Sequence, residues 1–349
     1  MIDLLRELVE IESPTGDTRA MRDRAAAELR ALGADVTLDG EHVRADVTGE
    51  GKPLLLLGHL DTVWPRGTLA ELPWRIENGS AFGPGVYDMK GGLVVMFAAI
   101  RRAATARALR VVLTADEEIG STSGRHTIEA AARGAAAALV CEPPTEGGDL
   151  KTARSGLGRF HIVVTGRPAH AGAPTEGASA IEELARLTLR LHALADRARG
   201  VLLNVGVVSG GTRENVVAAE ASAWLDVRVP STAERDRMDA ILRSLAPETP
   251  GTSIALDGGW TRPPLERSSD GQLLFSRARE AGTELGLDLH EASATGGSDG
   301  NLAAAYGLPV LDGLGAQGGG AHAVDEHVLI ESLPVRAELL ARILRTPGV

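Results

Sequence analysis

The spacing of apolar positions predicts strands and helices that alternate along the first part of the chain. Residues 1–12 and 18–33 carry apolar side chains at helical spacing, and Gly33 is a plausible helix stop. Residues 54–58 form an apolar run that ends in glycine, which is typical of a buried central strand. The next expected elements are a helix at 91–107, a strand at 109–116, a helix at 123–134 and a strand at 135–143. This order predicts a mostly parallel sheet flanked by helices.

The pattern changes near residue 155. Residues 158–166 alternate between apolar and polar, as in a half-buried strand. The elements expected next are a helix at 177–195, strands at 202–210 and 220–230, a helix at 233–246 and a strand at 252–257. This β-α-β-β-α-β order predicts a ferredoxin-like α+β arrangement.

An α/β pattern resumes after Pro263 and Pro264, with a helix at 268–286, a strand at 308–312 and a helix at 332–346. The chain has 349 residues, more than one typical domain needs. We therefore expect residues 1–153 and 264–349 to form one discontinuous α/β domain. Residues 155–262 are expected to form an inserted second domain.

Composition narrows the set of partners. The net charge of −11 disfavours binding to nucleic acid or to an anionic membrane. The single cysteine, Cys141, rules out a disulfide framework within the chain. Charged residues interrupt the first ten positions, which reads as an amphipathic helix rather than a signal peptide, and no run reaches about 18 apolar residues. We expect a cytoplasmic protein.

Candidate chemistry follows the predicted strands at their carboxyl ends, where open α/β sheets bind ligands. His59 and Asp61 come directly after the strand at 54–58 and face the same way in an extended segment. Such a pair suits a metal-ligating histidine oriented by a carboxylate. A polar exit from the strand is the alternative interpretation.

Two acidic stretches follow the same logic. Asp88 lies between glycines at 83–92, just before a predicted helix, so it is either a ligand or a helix N-cap. Asp116, Glu117 and Glu118 follow the strand at 109–115, where their mutual repulsion is relieved either by solvent or by a bound cation. A cation would leave one carboxylate available to move protons.

The last two candidates are Glu142, after the strand at 135–141, and His322, after the glycines at 318–320. His327 competes with His322, and Cys141 is more simply a small buried strand residue. Each stretch taken singly has an ordinary structural explanation. Together they supply nitrogen and oxygen ligands without thiolate, a set that suits Zn²⁺, Mn²⁺ or Co²⁺.

These stretches resemble, in order and spacing, the dimetal hydrolase family that includes aminoacylases, acetylornithine deacetylases and glutamate carboxypeptidases. The resemblance covers essentially the whole chain, and the insert at 155–262 falls where that family has its lid and dimerisation domain. Residues 59–65, 83–92 and 116–120 most resemble the bacterial glutamate carboxypeptidases that cleave folates. Gly318–Gly320 depart from the family, which has bulkier residues there.

The resemblance implies a role for each residue of the centre. Asp88 would bridge two Zn²⁺ ions per subunit, with Co²⁺ or Mn²⁺ as alternatives. One ion would be completed by His59 and Glu142, and the other by Glu118 and His322. Glu117 would be the general base and Asp61 would orient His59. The family also implies a cis peptide bond between Asp88 and Met89.

The insert has implied roles of its own. His170 would stabilise the oxyanion, reaching the site either from a partner subunit or on domain closure. Asn215, Arg228 and Arg262 would bind the substrate's carboxylate, and Gly297 would contact substrate through its backbone. For both arginines a surface or hinge ion pair is an equal alternative. The resemblance also implies a homodimer formed through this domain.

The function implied is hydrolysis of an amide bond next to a free carboxylate, in a small peptide. Release of a C-terminal amino acid such as glutamate is the first expectation. Removal of an acetyl or succinyl group from an N-acyl amino acid is the alternative inside the same family. A non-catalytic protein that binds amino-acid conjugates is a third, disfavoured by the presence of Glu117 beside every expected ligand.

Overall fold

The computed structural model describes residues 1–104 and 106–346, and within them the chain forms two units. The first unit contains Met1–Ala153, Leu265–Ala294 and the chain from Ser298 onward. The second contains Arg154–Pro264 together with Thr295–Gly297. The segment 295–297 thus groups with the second unit, although the sequence assigned it to the first domain.

The helices of the described residues, in chain order, are α1 Ile2–Val9, α2 Arg19–Ala31, α3 Thr68–Glu71, α4 Gly91–Ala103, α5 Arg125–Ala132, α6 Ala180–His192, α7 Thr232–Arg243, α8 Ser269–Thr283, α9 Asp299–Ala305 and α10 Ser332–Arg345. The strands are β1 Asp35–Asp39, β2 His42–Val47, β3 Glu50–His59, β4 Arg75–Glu77, β5 Ser80–Phe82, β6 Arg107–Thr114, β7 Ala137–Val140, β8 Leu150–Arg154, β9 Gly156–Thr165, β10 Leu202–Gly210, β11 Glu220–Val229, β12 Ser253–Arg262, β13 Glu291–Ala294, β14 Val310–Leu311, β15 Gly318–Gly319 and β16 His327–Leu329.

The first unit is built on a sheet with the strand order β1-β2-β6-β3-β7-β14. The four strands β6, β3, β7 and β14 are parallel, and the β1–β2 hairpin extends the sheet antiparallel. Residues 54–57 of β3 are fully buried, as expected for a central strand covered on both faces. The mixed α/β fold with a mostly parallel sheet confirms the fold class predicted from the sequence.

The register of the parallel strands brings their carboxyl ends to one edge of the sheet. His59, the last residue of β3, pairs with Thr114, the last residue of β6. Val140, the last residue of β7, pairs with Leu57 of β3. The residues that follow β3, β6 and β7 therefore emerge side by side.

The second unit is an antiparallel sheet in the order β10-β11-β9-β12, with the chain order β9-α6-β10-β11-α7-β12. Its core combines alternate residues of the strands with the apolar face of α6, including Phe160, Leu187 and Leu225. Ser179 and Ser231 cap α6 and α7 by accepting backbone N–H bonds three residues on. This is the ferredoxin-like arrangement that the sequence predicts. No helix within 1–104 and 106–346 is long and apolar enough to cross a membrane.

Candidate metal centre

Three of the five predicted ligands emerge from neighbouring strand ends. His59 ends β3, Glu118 lies four residues beyond β6, and Glu142 lies two residues beyond β7. The other two come from loops: Asp88 from the turn Val86–Lys90, and His322 from the segment between β15 and β16. The fold therefore gathers residues that are distant in sequence at one edge of the sheet.

The five side chains form two groups that share Asp88. In the first group, His59 Nε2 lies 3.1 Å from Asp88 Oδ1 and 3.5 Å from Glu142 Oε1. In the second group, His322 Nε2 lies 3.3 Å from Asp88 Oδ2 and 3.3 Å from Glu118 Oε2. Each oxygen of Asp88 thus faces a different imidazole.

These separations fit ligands of a common metal ion. Two nitrogen or oxygen atoms bound to one zinc ion in tetrahedral geometry lie about 3.4 Å apart. Glu118 Oε1 is also buried without a hydrogen-bond partner among the described residues. A buried carboxylate oxygen left unpaired is costly, and a cation would satisfy it. The donor set, two imidazoles and three carboxylates, suits zinc, cobalt or manganese.

The carboxylates of the two ligand groups favour positive charge on the neighbouring histidines. Burial by itself lowers the pKa of His59, but hydrogen bonds with Asp61 and Asp88 and the charge of Glu142 outweigh it and raise the pKa well above its ordinary value. Hydrogen bonds with Asp88 and Glu118 raise the pKa of His322 to about 10. Burial opposes ionisation of Asp88, yet its contacts with His322 and His59 hold its pKa well below the usual range. Without a metal ion, protons on the imidazoles supply the charge.

Asp61 contacts both the His59 ring and the turn that carries Glu117 and Glu118. The His59 ring Nδ1 lies 2.9 Å from the backbone carbonyl oxygen of Asp61 and 3.5 Å from its carboxylate. The backbone carbonyl therefore fixes the ring, with the proton on Nδ1 and with Nε2 facing the ligand group. The carboxylate of Asp61 accepts hydrogen bonds from Thr15 Oγ1 and from the backbone N–H groups of Glu117 and Glu118. Asp61 thus anchors the turn that carries those two glutamates.

Glu117 begins the short helical turn Glu117–Ile119 and is half-buried beside Glu118. Its backbone N–H donates to Asp61 Oδ1 over 3.1 Å. The turn thus places a carboxylate that belongs to neither ligand group directly next to one that does.

The loop before α4 decides whether Asp88 is a helix N-cap or a candidate metal ligand. α4 begins at Gly91 with Lys90 at the N-cap position, and no side chain caps it. Asp88 is therefore not the helix cap that the sequence allowed. Gly85 adopts a left-handed φ of 69°, and a Cβ there would lie 2.4 Å from Thr62 Cγ2, so the turn requires glycine. The Asp88–Met89 peptide bond is cis, as predicted.

The two competing ligands lie outside both groups. His327 pairs with Phe82 in the sheet and packs against its ring in a tilted arrangement, with the ring centroids 5.4 Å apart. Cys141 is fully buried, and burial raises the pKa of its thiol well above the ordinary value, so it stays protonated. His322 itself has a left-handed φ of 64°, a conformation that is costly for a residue other than glycine and is concentrated at functional sites.

In the second unit, the structure brings Arg228, Arg262 and Gly297 together. Arg228 and Arg262 both pair with Leu157, on β11 and β12 either side of β9. Arg228 donates to the carbonyl of Thr295 at 3.1 Å, and a Cβ on Gly297 would lie 2.7 Å from Arg262 Cδ. Arg228 also pairs with Asp226 at 2.9 Å, and Arg262 is buried.

His170 and Asn215 lie together at the other end of the same sheet. The backbone N–H of Ala171 donates to the carbonyl of Asn215 at 3.0 Å, just beyond the β9 end at Thr165. Gly172 N–H donates to His170 Nδ1 at 3.0 Å, so a neutral His170 carries its proton on Nε2. Strand β9 is ten residues long, which separates this end from the two arginines by about 30 Å.

The sequence alone missed Glu326. This residue is buried, and its carboxylate accepts four hydrogen bonds, three of them from the loop that carries Asp88. Its position four residues after His322 was the available signal, but a glutamate next to an aspartate in a loop is usually solvated.

Comparisons with known proteins bear on the whole chain. The profile described as "Peptidase family M20/M25/M40" matches residues 55–346. Carboxypeptidase G2 of Pseudomonas sp. (strain RS-16) is 32% identical, covering 100% of this chain and 89% of that protein. Succinyl-diaminopimelate desuccinylase of Acidiphilium cryptum (strain JF-5) is 31% identical, covering 98% and 97%. The solved structure of Bacillus subtilis YXEP, described as a dinuclear metal-binding peptidase, matches with a TM-score of 0.70 at 16% identity, covering 98% and 96%.

Proposed function

The chain belongs to peptidase family M20/M25/M40 and is a metallohydrolase, and from that premise we propose that it is a dinuclear zinc carboxypeptidase. It would hydrolyse the amide bond next to a free carboxylate and release a C-terminal amino acid such as glutamate. The observation that carries this proposal is the pair of ligand groups sharing Asp88, with Glu117 beside them.

His59, Asp88 and Glu142 would hold one ion, and Asp88, Glu118 and His322 the other. Two zinc ions would supply Lewis-acid activation of a water molecule and of the scissile carbonyl. Glu117 takes the proton from the attacking water and passes it to the leaving nitrogen, as a general base and then a general acid. Asp61 holds Glu117 in place through its backbone N–H.

His170 stabilises the negative charge that develops on the oxygen of the scissile carbonyl. Because Gly172 N–H occupies its Nδ1, the neutral ring presents Nε2–H as a donor to the charge that develops there. Arg228 and Arg262 would bind the substrate's carboxylate, a group that an arginine fork matches well. Asn215 and the backbone of Gly297 complete the proposed set.

We propose a homodimer through the second unit, and the layout of its sheet supports this proposal. His170 and Asn215 lie a strand length away from Arg228 and Arg262, so one small substrate cannot contact both pairs within one protomer. We therefore assign His170 and Asn215 to the active site of a partner subunit. Strand β10 is an edge strand with Val207 58% and Val208 59% exposed, the kind of edge that pairing with a second copy covers.

A deacylase is the second candidate, and the similarity to succinyl-diaminopimelate desuccinylase favours it. It would use the same metal centre and the same Glu117, and the two candidates differ in the acyl side of the substrate. Metal content and a substrate panel test both. The purified protein, loaded with zinc, is assayed against N-acyl glutamates with aromatic, acetyl and succinyl acyl groups, and against N-succinyl diamino acids. Preference for the aromatic acyl-glutamates supports the carboxypeptidase. Preference for small acyl groups supports the deacylase, and no turnover with any substrate contradicts both.

A further inference from the structure

Glu326 is a buried carboxylate on which four hydrogen-bond donors converge. Its Oε2 accepts from the indole Nε1 of Trp64 at 2.7 Å and from the N–H of Gly85 at 2.9 Å. Its Oε1 accepts from the N–H groups of Tyr87 at 2.9 Å and Asp88 at 3.0 Å. Only 3% of the residue is exposed, so no solvent replaces these bonds.

The donors belong to the segments that build the metal centre. Three are the backbone N–H groups of Gly85, Tyr87 and Asp88, in the loop that carries the aspartate shared by both ligand groups. The fourth, Trp64, follows His59 and Asp61 in the loop after β3. Glu326 itself lies four residues beyond His322, in the same loop. One side chain therefore ties the His322 loop to the Asp88 loop.

The arrangement favours a side chain that accepts hydrogen bonds through both of its terminal atoms. A carboxylate offers about four acceptor positions and no donor, which matches four converging N–H groups. A glutamine of the same size would turn its NH₂ group toward two of those donors and leave them buried and unpaired. The neighbouring Asp325 is exposed and has no such environment.

We propose that Glu326 is a positioning residue that sets the distance between Asp88 and His322, and so the metal affinity of the centre that they share. The proposal rests on the proposed function, because it takes the Asp88 groups as metal ligands. Hydrogen-bond partners that orient metal ligands typically contribute 10- to 100-fold to metal affinity. Glu326 differs from such partners in acting through the backbone of the ligand's loop rather than on the ligand's side chain.

The test is titration of the metal-free protein with Zn²⁺, in competition with a chromophoric chelator, for wild type, Glu326→Gln and Asp325→Asn. Asp325→Asn is the matched control, because it removes one negative charge from the adjacent position and leaves the four hydrogen bonds intact. We expect Glu326→Gln to bind Zn²⁺ about 10- to 100-fold more weakly, and Asp325→Asn to bind like wild type. The visible spectrum of the Co²⁺-loaded protein should change in Glu326→Gln and stay unchanged in the control.

A merely structural role would lower the melting temperature of metal-free Glu326→Gln and leave its Zn²⁺ affinity and Co²⁺ spectrum at the wild-type values; that result overturns the proposal. If Glu326→Gln does not fold, Trp64→Phe removes one of the four donors, and a reproducible loss of Zn²⁺ affinity supports the proposal while wild-type affinity refutes it. If wild type binds no Zn²⁺, the proposed function falls and this proposal falls with it. Tight wild-type binding with an unaffected Glu326→Gln removes this proposal alone.

Discussion

At the scale of single residues, the proposed tasks of holding metal and of moving protons fall to two adjacent glutamates. Glu117 and Glu118 are adjacent in one short turn and are anchored by the same Asp61 carboxylate. Only Glu118 belongs to a ligand group, and its second oxygen has no hydrogen-bond partner among the described residues. Neighbouring carboxylates of the same chemistry therefore have different proposed tasks because the backbone aims them differently.

Replacing Glu117 by glutamine should leave metal binding intact and abolish turnover. The amide keeps the size of the side chain but cannot accept the proton, so we expect kcat to fall by about 10²- to 10⁴-fold. Metal content per protomer, from elemental analysis, should equal that of wild type. Glu71→Gln, an exposed position on α3, is the control and should keep wild-type turnover. A Glu117→Gln protein that retains most of its kcat removes Glu117 from the role of general base.

Metal binding should release protons. The metal-free protein holds the pKa of His322 at about 10 and that of His59 well above its ordinary value, so both rings are protonated at pH 7. A metal ion binds neutral imidazole, so loading both groups should release about two protons per protomer. Acid below pH 7 then weakens binding, and affinity rises with pH until His322 loses its proton near pH 10.

Isothermal titration with Zn²⁺ in buffers of different ionisation enthalpy measures this release. The buffer takes up each released proton, so the binding enthalpy should fall linearly as the buffer's ionisation enthalpy rises, with a slope of about −2. A binding enthalpy that is independent of the buffer would mean that both imidazole rings are already neutral in the metal-free protein. The neighbouring carboxylates would then not hold protons on these rings.

The sequence identified Asp88 and Asp61 as candidate site residues, but it did not decide between their alternative roles. For Asp88, flanking glycines fitted both a ligand and a helix cap, and only the start of α4 at Gly91 excluded the cap. For Asp61, the two-residue spacing from His59 predicted an orienting carboxylate. The structure places that carboxylate 3.5 Å from the His59 ring and adds a shorter contact, 2.9 Å, from the Asp61 backbone carbonyl, a local geometry that side-chain patterns do not encode.

At the scale of elements, apolar periodicity located most of the strands and helices that carry the core. It missed helix α9, which contributes Leu302 and Ala303, and the β1–β2 hairpin, in which β1 is mostly exposed and polar and is held by pairing with β2. It ended the last strand of the insert at 257, whereas β12 continues to Arg262 because pairing with β9 overrides Gly258 and Gly259. Tertiary pairing of this kind is decided by residues far away in the sequence.

Gly92 shows how an element boundary reaches the metal centre. A Cβ on Gly92 would lie 2.0 Å from the carbonyl oxygen of Cys141, the residue before Glu142. Gly92→Ala should therefore push α4 away from the end of β7, and overpacking of this kind costs about 1–3 kcal/mol in the free energy of unfolding. Urea denaturation of the metal-free protein measures that loss, and the displaced Glu142 should also weaken Zn²⁺ binding.

Gly259→Ala is the control for this substitution, because a Cβ there meets no atom within 4 Å and its φ is not left-handed. It should change the free energy of unfolding by less than about 1 kcal/mol. If Gly92→Ala is as stable as this control, α4 and the end of β7 are not packed as closely as the contact requires.

At the scale of the whole molecule, the residues with proposed roles in the second unit lie at two opposite ends of one sheet. The arginines and Gly297 lie at the end that joins the rest of the chain, next to residues 154 and 264 where the chain crosses between the units. His170 and Asn215 lie about a strand length away, at the far end. In the proposed homodimer, the far end of one subunit would serve the active site of the other.

Mixed dimers test this assignment directly. Glu117→Gln and His170→Ala are each expected to be nearly inactive alone. In a dimer with one subunit of each kind, the His170→Ala subunit keeps its own Glu117 and receives an intact His170 from its partner. If His170 acts between subunits, differently tagged and co-purified mixed dimers should recover about half of wild-type activity, because one of two symmetric sites is complete. Activity no higher than that of the parent variants would place His170 in the site of its own subunit.

Val208→Lys places a charge on the exposed edge of β10, the proposed dimer interface. Sedimentation should show that this variant is a monomer. The monomer should lack activity, although its metal ligands are unchanged, because no partner supplies His170.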